Sequence, residues 1–183
     1  MEQYTYEVPM WAHQAKVMAV HNDHEENVFE IKRIQHKFFA RIVHYIVREG
    51  LNYCYKTTNE NGKPVFTVSC LFPGFGYKIT DNLTGEAASI DTYRVRLIER
   101  GYRFKLDQHE FQFEQDATGA CHLTCNHDEV AIVKKALQIE KSAFEELKPS
   151  TITITIHSTT HAFANLAAVL FHTFFYPTYH VFN

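Results

Sequence analysis

The last part of the sequence lacks charged side chains, since no Asp, Glu, Lys or Arg follows Lys148. Apolar residues dominate residues 159–175, and they fall on two sides of a helix of 3.6 residues per turn. A helix with apolar residues on two sides has no face suited to water. The sequence therefore predicts a helix over 159–175, enclosed by protein or lipid. Ser158, Thr159 and Thr160 are residue types that cap a helix start, and Pro177 resists continuation.

A membrane anchor is the alternative interpretation of this segment. About 17 residues at 1.5 Å rise span roughly 25 Å, which is short of the roughly 30 Å hydrocarbon core. The segment also contains His161, Asn165 and His172, and no basic cluster flanks it. A buried helix of a globular domain is favoured over a C-terminal anchor, and no transmembrane span is expected.

The sequence also lacks a strong charge imbalance and an N-terminal targeting pattern. The formal net charge is −3 over 183 residues, which gives no general attraction to nucleic acid, so nucleic-acid binding is not expected. The opening MEQYTYEV has neither a basic leader nor an apolar core, and the four cysteines are scattered. We expect a reduced, cytoplasmic protein, with a peripheral position at the inner membrane surface if it binds lipid.

Short β-prone runs fill the chain ahead of the uncharged part. Turn signals of the Asn-Gly and Thr-Gly kind occur in NENG at 59–62 and DNLTGE at 81–86. TITITI at 151–156 alternates perfectly, as a strand with one buried face does. Spacings of three and four residues favour a short amphipathic helix between Phe38 and Val47. The predicted strands cover parts of 4–20, and then 28–34, 51–57, 64–72, 77–80, 87–91, 102–106, 110–114, 120–124, 130–137 and 151–156.

A succession of short hairpins before one wholly apolar helix is compatible with few folds. An open sheet would cover only one side of the helix and leave the other side wet. A closed sheet covers both sides and removes unpaired strand edges. The prediction is a single domain over 1–183, a mainly β (α+β) fold in which a closed antiparallel β-barrel surrounds a central hydrophobic C-terminal helix.

The order of these features resembles the tubby C-terminal-like superfamily, which includes tubby proteins, plant LURP-one-related proteins and phospholipid scramblases. The likeness is to its small bacterial members, and the pieces are YTYEVP at 4–9, VFEIKRIQHK at 28–37, YKITDNLTGE at 77–86 and TITITI before the helix. The resemblance implies a barrel wrapped round a hydrophobic helix. Tubby proteins bind phosphoinositides through a basic surface, but their binding residues have no position-by-position match here. No acidic loop like the calcium segment of scramblases occurs.

The densest cationic stretch supplies the candidate binding residues for an anionic lipid headgroup or phosphate: Lys32, Arg33, Lys37 and Arg41. A solvated face, in which long side chains only cover apolar surface, is the competing interpretation. A second scatter, formed by Arg94, Arg96, Arg100, Arg103 and Lys105, alternates with apolar residues as the outer face of barrel strands would. The alternative to a lipid ligand is a protein partner bound at the surface.

No catalytic or metal motif is visible in the sequence. Cys121, His122, Cys125 and His127 have no common zinc spacing, and the first two would point to opposite faces of a strand. Among the 12 histidines, His157, His161 and His172 lie in the uncharged tail and are expected to be neutral core groups with hydrogen-bond partners. We expect no cofactor, no metal and no catalytic residue. An enzyme whose histidines and carboxylates come together from several loops stays open as the alternative.

Overall fold

The computed structural model describes residues 1–8, 17–34, 54–71, 76–95, 100–136, 150–158 and 160–176. These residues form strands and one C-terminal helix, α1 (Ala162–Phe174). The amphipathic helix predicted between Phe38 and Val47 lies outside the described residues. The strands are β1 (Glu2–Val8), β2 (Val17–Asn22), β3 (Asn27–Ile34), β4 (Cys54–Asn59), β5 (Pro64–Cys70), β6 (Tyr77–Asp81), β7 (Ala87–Arg94), β8 (Arg100–Leu106), β9 (His109–Gln115), β10 (Cys121–Cys125), β11 (Asp128–Lys135) and β12 (Ser150–Ile156).

The strands form one closed antiparallel barrel in sequence order, as predicted. Closure depends on β1, which pairs with β2 on one side and along its whole length with β12 on the other, from Glu2 opposite Ile156 to Val8 opposite Ser150. The TITITI segment is therefore the strand that meets the N-terminal strand. His21 and Asn22 extend β2 beyond residue 20, where the predicted strand ended, because they pair with Thr5 and Tyr4.

Helix α1 is enclosed by this wall. All its residues from Ala164 to Thr173 are buried, and they pack with the inward side chains of the strands into one core. The predicted capping was wrong in detail. The N-cap residue is His161, whose side chain makes no capping bond, while the Ser158 hydroxyl accepts the backbone N–H of Thr160 at 3.2 Å.

The two ends of the barrel differ. The turns at 23–26, 60–63, 82–86, 107–108 and 126–127 all lie at one end, where α1 also begins, and we call it the hairpin end. The other is the far end, where β1, β3, β5, β7, β9 and β11 end. Asp107 with Gln108, and Asn126 with His127, have positive φ at both central positions. Such two-residue turns suit the right-handed twist of paired strands.

A buried polar contact joins the helix to the wall. His172 Nε2 lies 2.9 Å from the hydroxyl of Tyr6, and its ring packs against those of Tyr55 and Tyr176. Its Nδ1 has no hydrogen-bond partner within the part of the chain that the structure describes. Burial lowers the pKa of His172 to about 3. The predicted neutral core histidine is thus present here, with one of its two ring nitrogens satisfied.

A glycine on the outer wall is covered by an aromatic ring. Tyr93 on β7 pairs with Gly101 on β8. A Cβ atom at Gly101 would lie 2.5 Å and 2.9 Å from carbons of the Tyr93 ring. The same tyrosine donates a hydrogen bond to Glu114, and Arg103 lies over its ring at 5.7 Å. Glycine at position 101 therefore allows Tyr93 to lie flat along the wall and reach a third strand.

Gly101→Ala should lower the free energy of unfolding by about 1–3 kcal/mol, because the added methyl group overlaps the Tyr93 ring. Denaturant unfolding measures the change. Gly76→Ala is the matched control, since a Cβ there meets only Leu71 at 3.5 Å, an ordinary contact. Equal stability of the two variants would contradict the role given to Gly101.

His172→Phe should cost about 1–3 kcal/mol, because it leaves the buried Tyr6 hydroxyl without its bond to the imidazole. Adding Tyr6→Phe to the same chain should recover most of the loss, since both polar groups are then gone and the shapes are kept. A double-mutant cycle on unfolding free energies measures this coupling. Losses that simply add would show that the contact contributes nothing.

Candidate functional site

The predicted binding residues are distributed over both faces of β3. Lys32 shares its face with Glu30, whereas Arg33 shares the face of Phe29 and Ile31, which are buried. Successive strand residues point to opposite faces, so Lys32 and Arg33 do not form one surface. Lys37 and Arg41 lie outside the described residues. Of the predicted set, only Lys32 is placed by the structure on the outer wall.

Lys32 makes an ion pair on this wall. Its Nζ lies 2.6 Å from Glu30 Oε2, with both side chains about 30% exposed. Glu30 also accepts a hydrogen bond from the Thr58 hydroxyl at 3.4 Å. An exposed ion pair of this kind contributes up to about 1 kcal/mol. Breaking it so that Lys32 can contact another anion would therefore cost no more than about 1 kcal/mol.

Strand pairing places Lys56 directly beside Lys32, and Lys78 two strands further along the wall. Lys32 pairs directly with Lys56 on β4. Lys56 pairs with Thr67 on β5, and Ser69 on β5 pairs with Lys78 on β6. All lie on the outer face, because their neighbours Ile31, Tyr55, Val68 and Ile79 are buried inside. We call Lys32, Lys56 and Lys78 the lysine strip.

The strip combines positive charge with hydroxyl groups. Neighbouring strands lie about 4.8 Å apart, so Lys32 and Lys56 are close enough to contact one anion together. Like charges directly opposite each other on a sheet are unfavourable, and a bound anion relieves that repulsion. The Thr67 hydroxyl accepts a bond from the Asn82 amide at 2.9 Å, which leaves its own O–H available to donate. The strip is suited to phosphate oxygens.

Sequence reasoning missed Lys56 and Lys78 because they are single lysines in separate hairpins. Their only local signal is the alternation of each strand, which places them outside. That they lie on the same part of the outer wall as Lys32 depends on the register of β3 to β6, which an individual sequence does not reveal. In the second cationic scatter, Arg94, Arg103 and Lys105 are exposed as predicted, and Arg96 lies outside the described residues.

The second candidate site is a histidine held between carboxylates on the outer wall. His122 on β10 contacts Glu129 through Nδ1 at 2.5 Å and Asp116 through Nε2 at 3.1 Å. His157, just after β12, lies 3.5 Å from the other oxygen of Glu129. The four residues connect the β9–β10 turn, β10, β11 and the segment that leads into α1.

The electrostatics of His122 indicate an ion-pair network rather than a catalytic base. Burial lowers the pKa of His122, but hydrogen bonds and charges from Glu129 and Asp116 outweigh it, so the pKa is raised overall. Asp116 has its pKa lowered to about 2, chiefly by hydrogen bonding to Thr118. Because both ring nitrogens of His122 already have acidic partners, neither is directed at a substrate or a nucleophile.

A third polar group lies where α1 enters the barrel. The Tyr4 hydroxyl donates to Glu2 Oε2 at 2.7 Å and contacts His161 Nδ1, which lies 3.1 Å from the same Glu2 oxygen. The side chain of His161 is 63% exposed and that of His157 is 34% exposed. The expectation that His157 and His161 are core groups was therefore wrong, because both precede the enclosed part of the helix.

Cys121 and His122, the first two residues of the possible metal group near β10, lie on opposite faces of the strand. Cys121 is buried inside and His122 faces out, so the predicted opposite orientation is confirmed. Burial raises the pKa of the Cys121 and Cys125 thiols, which disfavours the thiolate that a metal needs. Among the described residues, no group of three or more His, Cys, Asp and Glu side chains could hold a metal ion.

His122→Gln should remove a pH dependence of stability. Because the folded pKa of His122 is raised, its contribution is fully present below about pH 6.5 and is lost as the pH rises through the folded pKa. The parent protein should lose stability over that rise, and the variant should show a flatter profile. Urea unfolding at several pH values measures this, with His24→Gln in an exposed turn as control. Identical slopes in parent and H122Q would contradict the network.

Comparison with known proteins identifies the family of the chain from a match that spans the barrel and the helix. No helix within the described ranges is long and apolar enough to cross a membrane, and α1 has 13 residues. Comparisons with curated proteins and with solved structures give no match. The family model described as Tubby C-terminal like domain matches residues 4–177, which run from β1 to beyond α1. The chain therefore belongs to the Tubby C-terminal-like domain family.

Proposed function

We propose that this domain is a non-enzymatic binding module that engages an anionic phospholipid headgroup through the lysine strip. The observation that carries the proposal is the alignment of Lys32, Lys56 and Lys78 on the outer faces of β3, β4 and β6. Lysines near an anionic membrane surface contribute about 1 kcal/mol each. Three together supply a useful affinity that falls with added salt.

The location of the strip follows from how the barrel is filled. Leu166, Val169 and Leu170 are at most 1% exposed, and the side chains of the wall pack onto them. A ligand of headgroup size has to bind outside or at a rim. The outer wall is where alternating strands place their charged residues, so an external electrostatic site fits the architecture.

A lipid is favoured over an enzyme substrate by the chemistry of the polar groups. The described histidines with acidic partners are engaged in ion pairs on the wall or at the helix entry. The lysine strip instead presents mobile cations that suit a flat array of phosphates. A protein partner with an acidic surface is the alternative occupant, and the experiment below separates the two.

Vesicle co-sedimentation at low and raised salt tests the proposal. The purified chain should bind vesicles that contain anionic phospholipid, should bind neutral vesicles weakly, and should lose binding as salt screens the charges. Lys56→Gln with Lys78→Gln should weaken anionic binding about thirtyfold, which corresponds to about 2 kcal/mol.

The matched control changes net charge equally at another place. Lys63→Gln with Lys105→Gln removes two exposed lysines near the hairpin end and should change binding by less than about threefold. An equal loss in both double variants would show that only net charge matters and would overturn the strip. Absence of binding to either vesicle would remove the lipid function and leave the protein partner.

A further inference from the structure

Exposed apolar side chains occur close to the lysine strip. Among the described residues, the exposed large apolar side chains are Met1, Val17, Leu71, Leu83 and Val95. Val17 begins β2 and pairs with Lys32 itself. Leu71 follows β5, two residues beyond Ser69, which pairs with Lys78. Val95 follows Arg94, the last residue of β7.

These three residues share one end and one sector of the barrel. Val17, Leu71 and Val95 all lie at the far end, on or next to β2, β5 and β7. Strands lie about 4.8 Å apart, so five strand steps from β2 to β7 cover about 24 Å of wall. The lysine strip lies within the same sector, near the same end. Apolar and cationic side chains are thus interspersed along one rim.

Charge separates this rim from the hairpin end. The turns at the hairpin end contain Lys63 as their one lysine or arginine, whereas their carboxylates are Asp23, Glu25, Glu26, Glu60, Glu86 and Asp107. In the β2–β7 sector of the far end, the nearest described carboxylates are Glu30 and Asp91, which lie further from the rim than Lys32 and Arg94. The other described carboxylates at the far end are Glu7 on β1, the strand next to β2, and Asp116 in the β9–β10 turn on the opposite side of the barrel.

We propose that the domain docks on an anionic bilayer with the far end of its β2–β7 sector facing the lipid. Val17, Leu71 and Val95 insert at the boundary between headgroups and acyl chains, while Lys32, Lys56 and Lys78 contact phosphates around them. The proposal rests on the proposed function and adds the docking face and its orientation. The acidic hairpin end then points away from the membrane, as like-charge repulsion requires.

The combination of the two kinds of side chain is the reason for choosing a bilayer. A protein or nucleic-acid anion would be matched by the lysines alone, whereas isolated apolar side chains projecting from a cationic rim match the layered polarity of a membrane surface. Amphipathic surfaces bind membranes through buried apolar area together with attraction to anionic lipids. Leu83 and Met1 lie at the hairpin end, among carboxylates, and are disfavoured there for contact with anionic lipid.

The experiment compares single tryptophan probes at the two ends. L71W places an indole at the proposed rim, where the leucine is 41% exposed, and L83W places one at the hairpin end, where the leucine is 66% exposed. Vesicles contain anionic phospholipid and a lipid brominated on its acyl chains, which quenches indoles that enter the bilayer. Emission is corrected by subtracting the parent chain, whose one Trp is common to both variants. Far-ultraviolet circular dichroism checks that both variants are folded.

Quenching of the added indole in L71W, with none in L83W, is the expected result. Quenching in L83W overturns the orientation and leaves lipid binding intact. The same conclusion follows if neither variant is quenched while both still co-sediment with the vesicles. Failure of both variants and the parent to sediment overturns orientation and proposed function together. L71S should weaken anionic binding about tenfold at raised salt, whereas L83S should leave it unchanged. If L71S binds like the parent, Leu71 does not insert.

Discussion

The enclosure of α1 is the constraint on which the rest of the structure depends. Its residues from Ala164 to Thr173 are buried all round, so no arrangement that leaves one side of the helix in water would be stable. The wall must therefore be continuous, and its continuity depends on the seven paired positions between β1 and β12. The first and last strands of the sheet are held together because the helix that follows β12 needs a complete cover.

Filling the interior also decides where chemistry can occur. Most inward positions carry apolar side chains, and the few buried polar groups, such as His172 with Tyr6, serve contacts between helix and wall. Most charged residues of the strands lie on the outer faces, where neighbouring strands place them side by side. Lys32 and Lys56 are adjacent for this reason, although 23 residues of chain separate them and each is unremarkable within its own strand. The outer wall thus acts as a register-dependent arrangement of charges.

The same distinction explains what could be predicted from sequence. The uncharged tail, the TITITI strand and the Asn-Gly turn are local patterns whose physical meaning does not depend on distant residues, and closure follows from them. The lysine strip depends on the pairing of four strands, so only Lys32 of its members was predicted. His161 was wrongly predicted to be a core residue, because it lies one residue before α1, where the chain is still exposed at the entrance to the barrel. The prediction that Ser158 caps the helix was wrong for a similar reason, because its hydroxyl accepts the N–H of Thr160 ahead of the helix.

The turn chemistry of the barrel also explains why its two ends differ in charge. Tight turns favour Asn, Asp and Gly, whose side chains or positive φ satisfy the backbone of the reversal. Asp81 accepts the N–H groups of Leu83 and Thr84 in this way, and Glu86 accepts the N–H of Asp107 in the neighbouring turn. Carboxylates therefore collect at the hairpin end for structural reasons. The tight turns of this barrel thus give the hairpin end a negative charge, and in the proposed orientation that end faces away from the anionic lipid.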